Sequence, residues 1–125
     1  MAITQAMATS FKVGILDGSF NFGSGTSQTF KIALYTSSAT LSASTTAYSA
    51  TNEVSGTGYT AGGVSVGTWN APTTSGTTGY TTPTSSITYT SVTLTTAFDA
   101  VLIYNNTQGN RAVSVHTFEI GRAHV

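Results

Sequence analysis

Threonine and serine make up roughly a third of this chain, and that bias constrains the fold more than any other feature. Threonine is branched at Cβ, so it suits a pleated strand and crowds a helix. Charge is scarce: 6% of residues are Asp, Glu, Lys or Arg, four acidic and four basic, for a net charge of zero. A polar, weakly charged chain can also be a flexible tract. Against that, 39% of residues are apolar, and six Tyr, six Phe and one Trp are spread along the sequence. A folded, mainly β domain is expected, and 125 residues provide for one core of ordinary size.

The same counts exclude whole classes of function. Four basic residues at zero net charge leave no electrostatic footprint for nucleic acid or an anionic membrane. Without cysteine there is no disulfide framework, no thiolate nucleophile and no Cys-ligated zinc. The longest uninterrupted apolar run, residues 100–104, is far too short to cross a bilayer. The opening Met-Ala-Ile-Thr-Gln-Ala has neither the basic segment nor the apolar stretch of a secretory signal, and none is expected there.

Two periodicities divide the chain. Ile3, Met7, Phe11 and Ile15 recur every four residues, with Leu16 beside the last. That spacing predicts an amphipathic helix covering one face or edge of a sheet, ended by Asp17-Gly18 because glycine accepts the left-handed conformation of a helix C-terminus. From Gln28 onward the period is two. Phe30, Ile32 and Leu34 alternate with Lys31, Ala33 and Tyr35 as a half-buried strand. Residues 36–48 read as a loop or extended edge, and the Gly, Thr and Ser density of 53–63 as turns. Val64, Val66 and Trp69 suggest a second strand, and 70–84, which holds both prolines, a long exposed loop. Ile87, Tyr89, Val92 and Leu94 suggest a third strand with a slip in phase. Residues 100–104 read as a strand covered on both faces. After the turn-forming 105–110, residues 112–118 return with Val113, Val115 and Thr117 on one side, making an antiparallel hairpin. The expected fold is an antiparallel β-sandwich with a short N-terminal helix, one domain over residues 1–118. Its core is expected to include Phe11, Phe30, Ile32, Leu34, Trp69, Val101, Ile103, Val113 and Val115.

One local pattern has catalytic form. Gly63-Val64-Ser65-Val66-Gly67 matches G-x-S-x-G, and Asp99 and His116 follow in hydrolase order. A nucleophile elbow needs Ser65 on a sharp strand-to-helix turn. Here Val64 and Val66 continue a strand, and Thr68-Trp69-Asn70-Ala71-Pro72 does not open a helix, so Ser65 is expected to be an ordinary strand residue. His116 lacks the companions of a metal site, and Asp17, Glu53 and Asp99 read as caps, turn residues or surface charges. Gly56-Thr57-Gly58 and Gly62-Gly63 do not complete a nucleotide-binding loop. Asn105-Asn106-Thr107 fits a glycosylation sequon, but hairpin-turn chemistry is the better account. No catalytic, cofactor-binding or metal-ligating residue is expected, and no enzyme. Tyr and Thr in loops suit sugars, but nothing in the sequence gathers them.

The chain end has a different texture. Residues 120–125 back-translate to ATC GGA AGA GCA CAC GTC, which reads like a common sequencing-library adapter. Residues 119–125 are therefore expected to be a non-native tail on a truncated metagenomic reading frame.

Four stretches carry a family likeness: Ser10-Phe11-Lys12, Thr29-Phe30-Lys31-Ile32-Ala33-Leu34-Tyr35-Thr36, Glu53-Val54-Ser55-Gly56-Thr57-Gly58-Tyr59-Thr60-Ala61-Gly62-Gly63 and Val101-Leu102-Ile103-Tyr104-Asn105. Together, over most of residues 1–118, they resemble small structural proteins encoded by tailed bacteriophages. The resemblance implies a non-enzymatic virion component, a capsid decoration or tail-associated protein, made in the host bacterial cytoplasm and carried in the virion. Its partners would be phage capsid or tail proteins, with no cofactor and no catalytic residues to carry over. A tail-associated module binding a receptor or host glycan is the alternative. Such relatives continue past residue 118 with a further strand, whose loss would leave an unpaired sheet edge and favour self-association.

Overall fold

The computed structural model of the chain describes residues 3–23 and 28–118; the adapter-like tail lies outside them. In chain order the elements are β1 (Ala6–Met7), α1 (Thr9–Asp17), β2 (Phe30–Tyr35), β3 (Gly56–Thr57), β4 (Val64–Ser65), β5 (Thr73–Ser75), β6 (Thr78–Tyr80), β7 (Thr93–Leu94), β8 (Ala100–Asn105) and β9 (Arg111–Thr117). The fold is mainly β, antiparallel in every strand pairing of its sheets, with one short N-terminal helix, as the composition and periodicity imply.

The most strongly patterned segments form the centre. β2 pairs along its whole length with β8, from Phe30↔Asn105 to Tyr35↔Ala100, and β8 returns as β9 through the expected hairpin. The short β1 and β4 complete a five-stranded sheet in the order β1-β9-β8-β2-β4. Side-chain alternation places Ala33, Tyr35, Ala100, Leu102 and Tyr104 on one face, and Phe30, Ile32, Leu34, Val101 and Ile103 on the other. These five residues of the first face are all buried. Leu41 and Ala39 of the 36–63 excursion join its core, and the Tyr48 ring stacks on Tyr104. The second face is covered at its Phe30 end by α1, Phe20, Phe22 and Trp69, whose rings pack at centroid distances of 4.3–6.4 Å. At its other end lie β7 and the residues around it. This second layer is thin, since its sheet is only the β3–β7 pair.

That thinness corrects the expected core. Phe11, Phe30, Leu34, Val113 and Val115 are buried, but Ile32, Trp69, Val101 and Ile103 are only half-buried. Strand 100–104 is thus sealed on one face and partly open on the other. Two further strands differ from the sequence pattern. The segment from Val64 is paired for only two residues, and of residues 87–94 only Thr93 and Leu94 form a strand. The 70–84 loop is an exposed ribbon, β5 and β6 turning at Gly76 in the left-handed region. Between Ile103 and Tyr104 the β8–β9 register shifts, leaving Val113 as a bulge, so that Ala112, Val113 and Val115 are all buried.

The helix is shorter than its apolar spacing suggests, and rotated. Ile3 bridges to Leu41, and Ala6 and Met7 pair with Val115 and Ser114, so the first two members of the stripe belong to sheet pairing. Ala8, in extended conformation, then starts α1, and Gly18 ends it at φ 78° as expected. Phe11 and Gly14 face inward, while Val13, Ile15 and Leu16 are exposed. Gly14 decides this rotation: a Cβ there would lie 2.3 Å from the buried Phe20 ring.

Nor is the β9 edge open among the described residues. β1 pairs with 114–115, Ala8 N–H donates to Val113 O, and Ser10 Oγ donates to Ala112 O. Ala112 N–H donates to Thr46 O, and Thr117 N–H to Gln5 Oε1. The unpaired edge expected from a missing final strand is not found on β9.

Two measurements check this packing. Leu102→Ala, at a fully buried site, is expected to lower the unfolding free energy by about 2–5 kcal/mol in urea denaturation, and Ile32→Ala by less, because Ile32 faces the thin layer. Gly63→Ala is expected to cost about 3 kcal/mol or more: Gly63 has φ 81°, and a Cβ would lie 1.7 Å from Ile32 O.

Candidate functional site

The G-x-S-x-G glycines have structural work. Gly63 lets the chain approach β2, and Gly67, at φ 84°, donates its N–H to Ser65 Oγ (3.1 Å), a local turn around an exposed serine. Ser65 pairs with Lys31 on β4, while His116 is on β9, three strand spacings of about 4.8 Å away across the sheet. His116 is exposed, with Nε2 2.9 Å from Ser114 Oγ. Asp99 N–H donates to Tyr35 O, and Asp99 O accepts from Phe118 N–H. The three residues are not brought together. Among the described residues, no group of three or more His, Asp or Glu side chains is placed to hold a metal, and no helix is long and apolar enough to cross a membrane.

Asp17 and Asn105 behave as turn residues. Asp17 Oδ1 accepts from Ser19 Oγ and N–H, and those bonds hold its carboxyl below the usual range. Asn105 is fully buried; its Oδ1 accepts from Thr107 and Gln108 N–H and its amide donates to Gln28. The sequon asparagine is thus spent on the hairpin turn.

Glu53 is the residue that sequence reasoning undervalued. Its Oε1 accepts from Tyr48 Oη (2.6 Å), and its Oε2 accepts from Tyr59 Oη and from Gly62 N–H (2.8 Å). Tyr104, stacked on Tyr48, donates to Gly62 O (2.6 Å). Tyr59 also accepts from Leu34 N–H and stacks on Tyr89, whose hydroxyl donates to Ile32 O. Tyr35 donates to Ser49 O (2.6 Å). Five of the six tyrosines therefore converge around one carboxylate. Burial raises all five phenol pKa values, and Glu53 adds to the effect; Tyr89 is pushed up to about 12. A phenol held neutral is a hydrogen-bond donor and a poor nucleophile or base, so the cluster fastens loops to the sheet. Its sequence signal was the isolation of Glu53 in a chain with four acids, with Tyr48 and Tyr59 close on either side.

The other distinctive element is the β5–β6 ribbon. All ten residues from 71 to 80 are exposed. The ribbon's base is laced by Asn70 N–H to Thr82 O, Thr84 N–H to Thr68 O, the Thr68–Thr84 hydroxyl pair at 2.6 Å and Thr81 Oγ1 to Asn70 O. At its root, the Trp69 indole N–H is the one buried side-chain polar atom without a partner among the described residues. Comparisons with protein-family models, with curated proteins and with solved structures return no match.

Three outcomes follow from this geometry. Glu53→Ala, which strands two phenols and an amide, is expected to cost about 2–3 kcal/mol in denaturant titrations. Ser65→Ala should change stability by no more than about 0.5 kcal/mol. Because the raised phenol pKa values mean the native state holds protons that the unfolded chain releases near pH 10, their stabilisation is complete below that pH and is lost as pH rises toward the native values. The urea midpoint should thus fall between pH 9.5 and 11.5, roughly the window of these shifts, and fall less steeply in Tyr59→Phe.

Proposed function

We propose that this chain is a non-enzymatic structural protein of a tailed-bacteriophage particle, carried on the particle surface as a capsid decoration with capsid proteins as partners. The observation that carries the reading is the 71–80 ribbon. An isolated two-stranded hairpin is marginal in water, and this one buries nothing against its own domain. A neighbouring subunit that covers it would supply the missing burial and pair its free backbone edges. Its Thr, Ser and Gly side chains make a near-neutral contact strip, in keeping with a chain of zero net charge. The resemblance of the four stretches quoted above, over most of residues 1–118, to small phage structural proteins supports the same reading.

A receptor- or glycan-binding tail module would gather aromatic side chains on an exposed loop. Five tyrosines are instead engaged around Glu53, and the ribbon carries Tyr80 alone, which favours the particle surface over the glycan.

The test is cosedimentation with purified particles of the phage that encodes the chain. Many copies per particle are expected, and replacing residues 73–80 by Gly-Gly should weaken binding about tenfold or more, a loss of about 1.4 kcal/mol, while leaving the thermal transition in place. Protein that ignores particles but binds host cells would overturn the proposal.

A further inference from the structure

The root of the 71–80 ribbon holds a donor that the free chain does not use. The Trp69 indole N–H is buried and meets no acceptor among the described residues. Its ring is nonetheless packed, at near right angles to Phe22 and Phe30 with centroid distances of 4.9 and 5.7 Å. Phenylalanine would make such ring contacts without the N–H, and a buried donor left unpaired destabilises the fold that carries it. The phenols show the contrast: Tyr35, Tyr48, Tyr59, Tyr89 and Tyr104 each donate to an acceptor. Packing alone therefore does not account for an indole at this position.

Trp69 is also the residue that joins the ribbon to the domain. Its backbone bridges to Pro83 across the ribbon's root, where Asn70 N–H donates to Thr82 O and Thr84 N–H to Thr68 O. Its side chain lies in the aromatic cluster over the Phe30 end of the sheet. Ribbon and indole thus form one body, and a tilt of the first turns the second. The flanking segments leave room for that tilt. Gly67 has φ 84° with nothing within 4 Å of the place a Cβ would take, and Ser85 and Ser86 on the return strand are exposed.

We propose that Trp69 is the residue through which the docked ribbon acts on the domain. When the capsid partner covers the ribbon, the root tilts about Gly67 and the indole N–H donates to an oxygen of that partner. This inference rests on the particle reading above and names the contact that anchors it. A tryptophan held by its ring on one side and offering its N–H on the other is the side chain on which binding energy tends to concentrate. The stranded donor also sets the direction of the change. The free state carries an unpaired N–H and the docked state does not, so the difference favours docking.

Trp69 is the only tryptophan of the chain, so a tryptophan auxotroph can replace it cleanly by β-(3-benzothienyl)alanine, which keeps the ring's shape and has sulfur in place of the N–H. The 125-residue chain carrying this analogue is expected to unfold at the parent's urea midpoint or a higher one. In cosedimentation with purified particles of the phage that encodes the chain, it should bind at least about tenfold more weakly than the parent. Should the analogue chain fail to fold, Trp69→Phe removes the same N–H and is expected to lose binding equally. Parent and N–H-less chains that bind particles alike would overturn this inference and leave the particle reading intact; a parent that ignores particles would overturn both. A clearly lower urea midpoint for the analogue would also overturn it, because the N–H would then have its partner inside the free chain, such as the face of a ring.

Discussion

The outer edge of β2 is what the rest of the molecule is arranged to finish. Its inner edge is paired throughout with β8, but β4 covers only Lys31 and Ile32 on the other side. Buried backbone groups left without partners cost about 1–3 kcal/mol each, roughly twice what a formed hydrogen bond returns. Beyond β4 the partners are therefore improvised: the Tyr59 oxygen for Leu34 N–H, Val54 N–H for Leu34 O and Asn52 O for Thr36 N–H, while the Tyr89 hydroxyl adds a bond to Ile32 O at the end of β4. Two excursions remote in sequence, around 52–59 and around 89, are pinned to one strand by this need. Glu53 then fixes Tyr59, so the carboxylate acts on the sheet through a phenol.

Few charges remain for fastening, and the two most engaged are half-buried and fasten one segment to another. Arg111 lies over the Phe20 ring at 4.8 Å and donates to Ser19 Oγ, which in turn donates to Asp17. That chain closes the exit of α1 onto β9. Glu53 does the equivalent for the first sheet face. Elsewhere hydroxyl and amide side chains carry out the tasks that ion pairs perform in more charged proteins, as in the Gln28–Asn105 link. Threonine abundance thus has two consequences, strand propensity and a supply of neutral donors and acceptors.

The parts of the fold legible in the sequence are those whose own residues decide them. Alternation fixed the location of β2, the apolar run and turn located the β8–β9 hairpin, and Gly18 marked the helix end because its φ is a local requirement. The parts that were not legible are decided by partners. β1, β3, β4 and β7 are two residues long and exist because another strand passes beside them. β5 and β6 carry no period-two signal, since both their faces meet water. Alternation told which way Ile32 and Val101 point, but not how thin the layer over them is. Gly14 read as a weakness of the helix, yet it is the seat of the Phe20 ring. Glu53 gave no motif, because phenol–carboxylate contacts have no fixed spacing.

The pairing of β2 with β8 joins segments about 70 residues apart, and this sets an order of events during synthesis. At about 5–20 residues per second, β2 leaves the ribosome several seconds before its principal neighbour exists. Through that interval Phe30, Ile32, Leu34 and Tyr35 are exposed on a nascent chain that has little charge to keep it apart from others. Once β8 emerges, β9 follows within a few residues, and the first sheet face closes almost at once. The domain therefore assembles late and abruptly, and its yield in a cell depends on what shelters β2 until then.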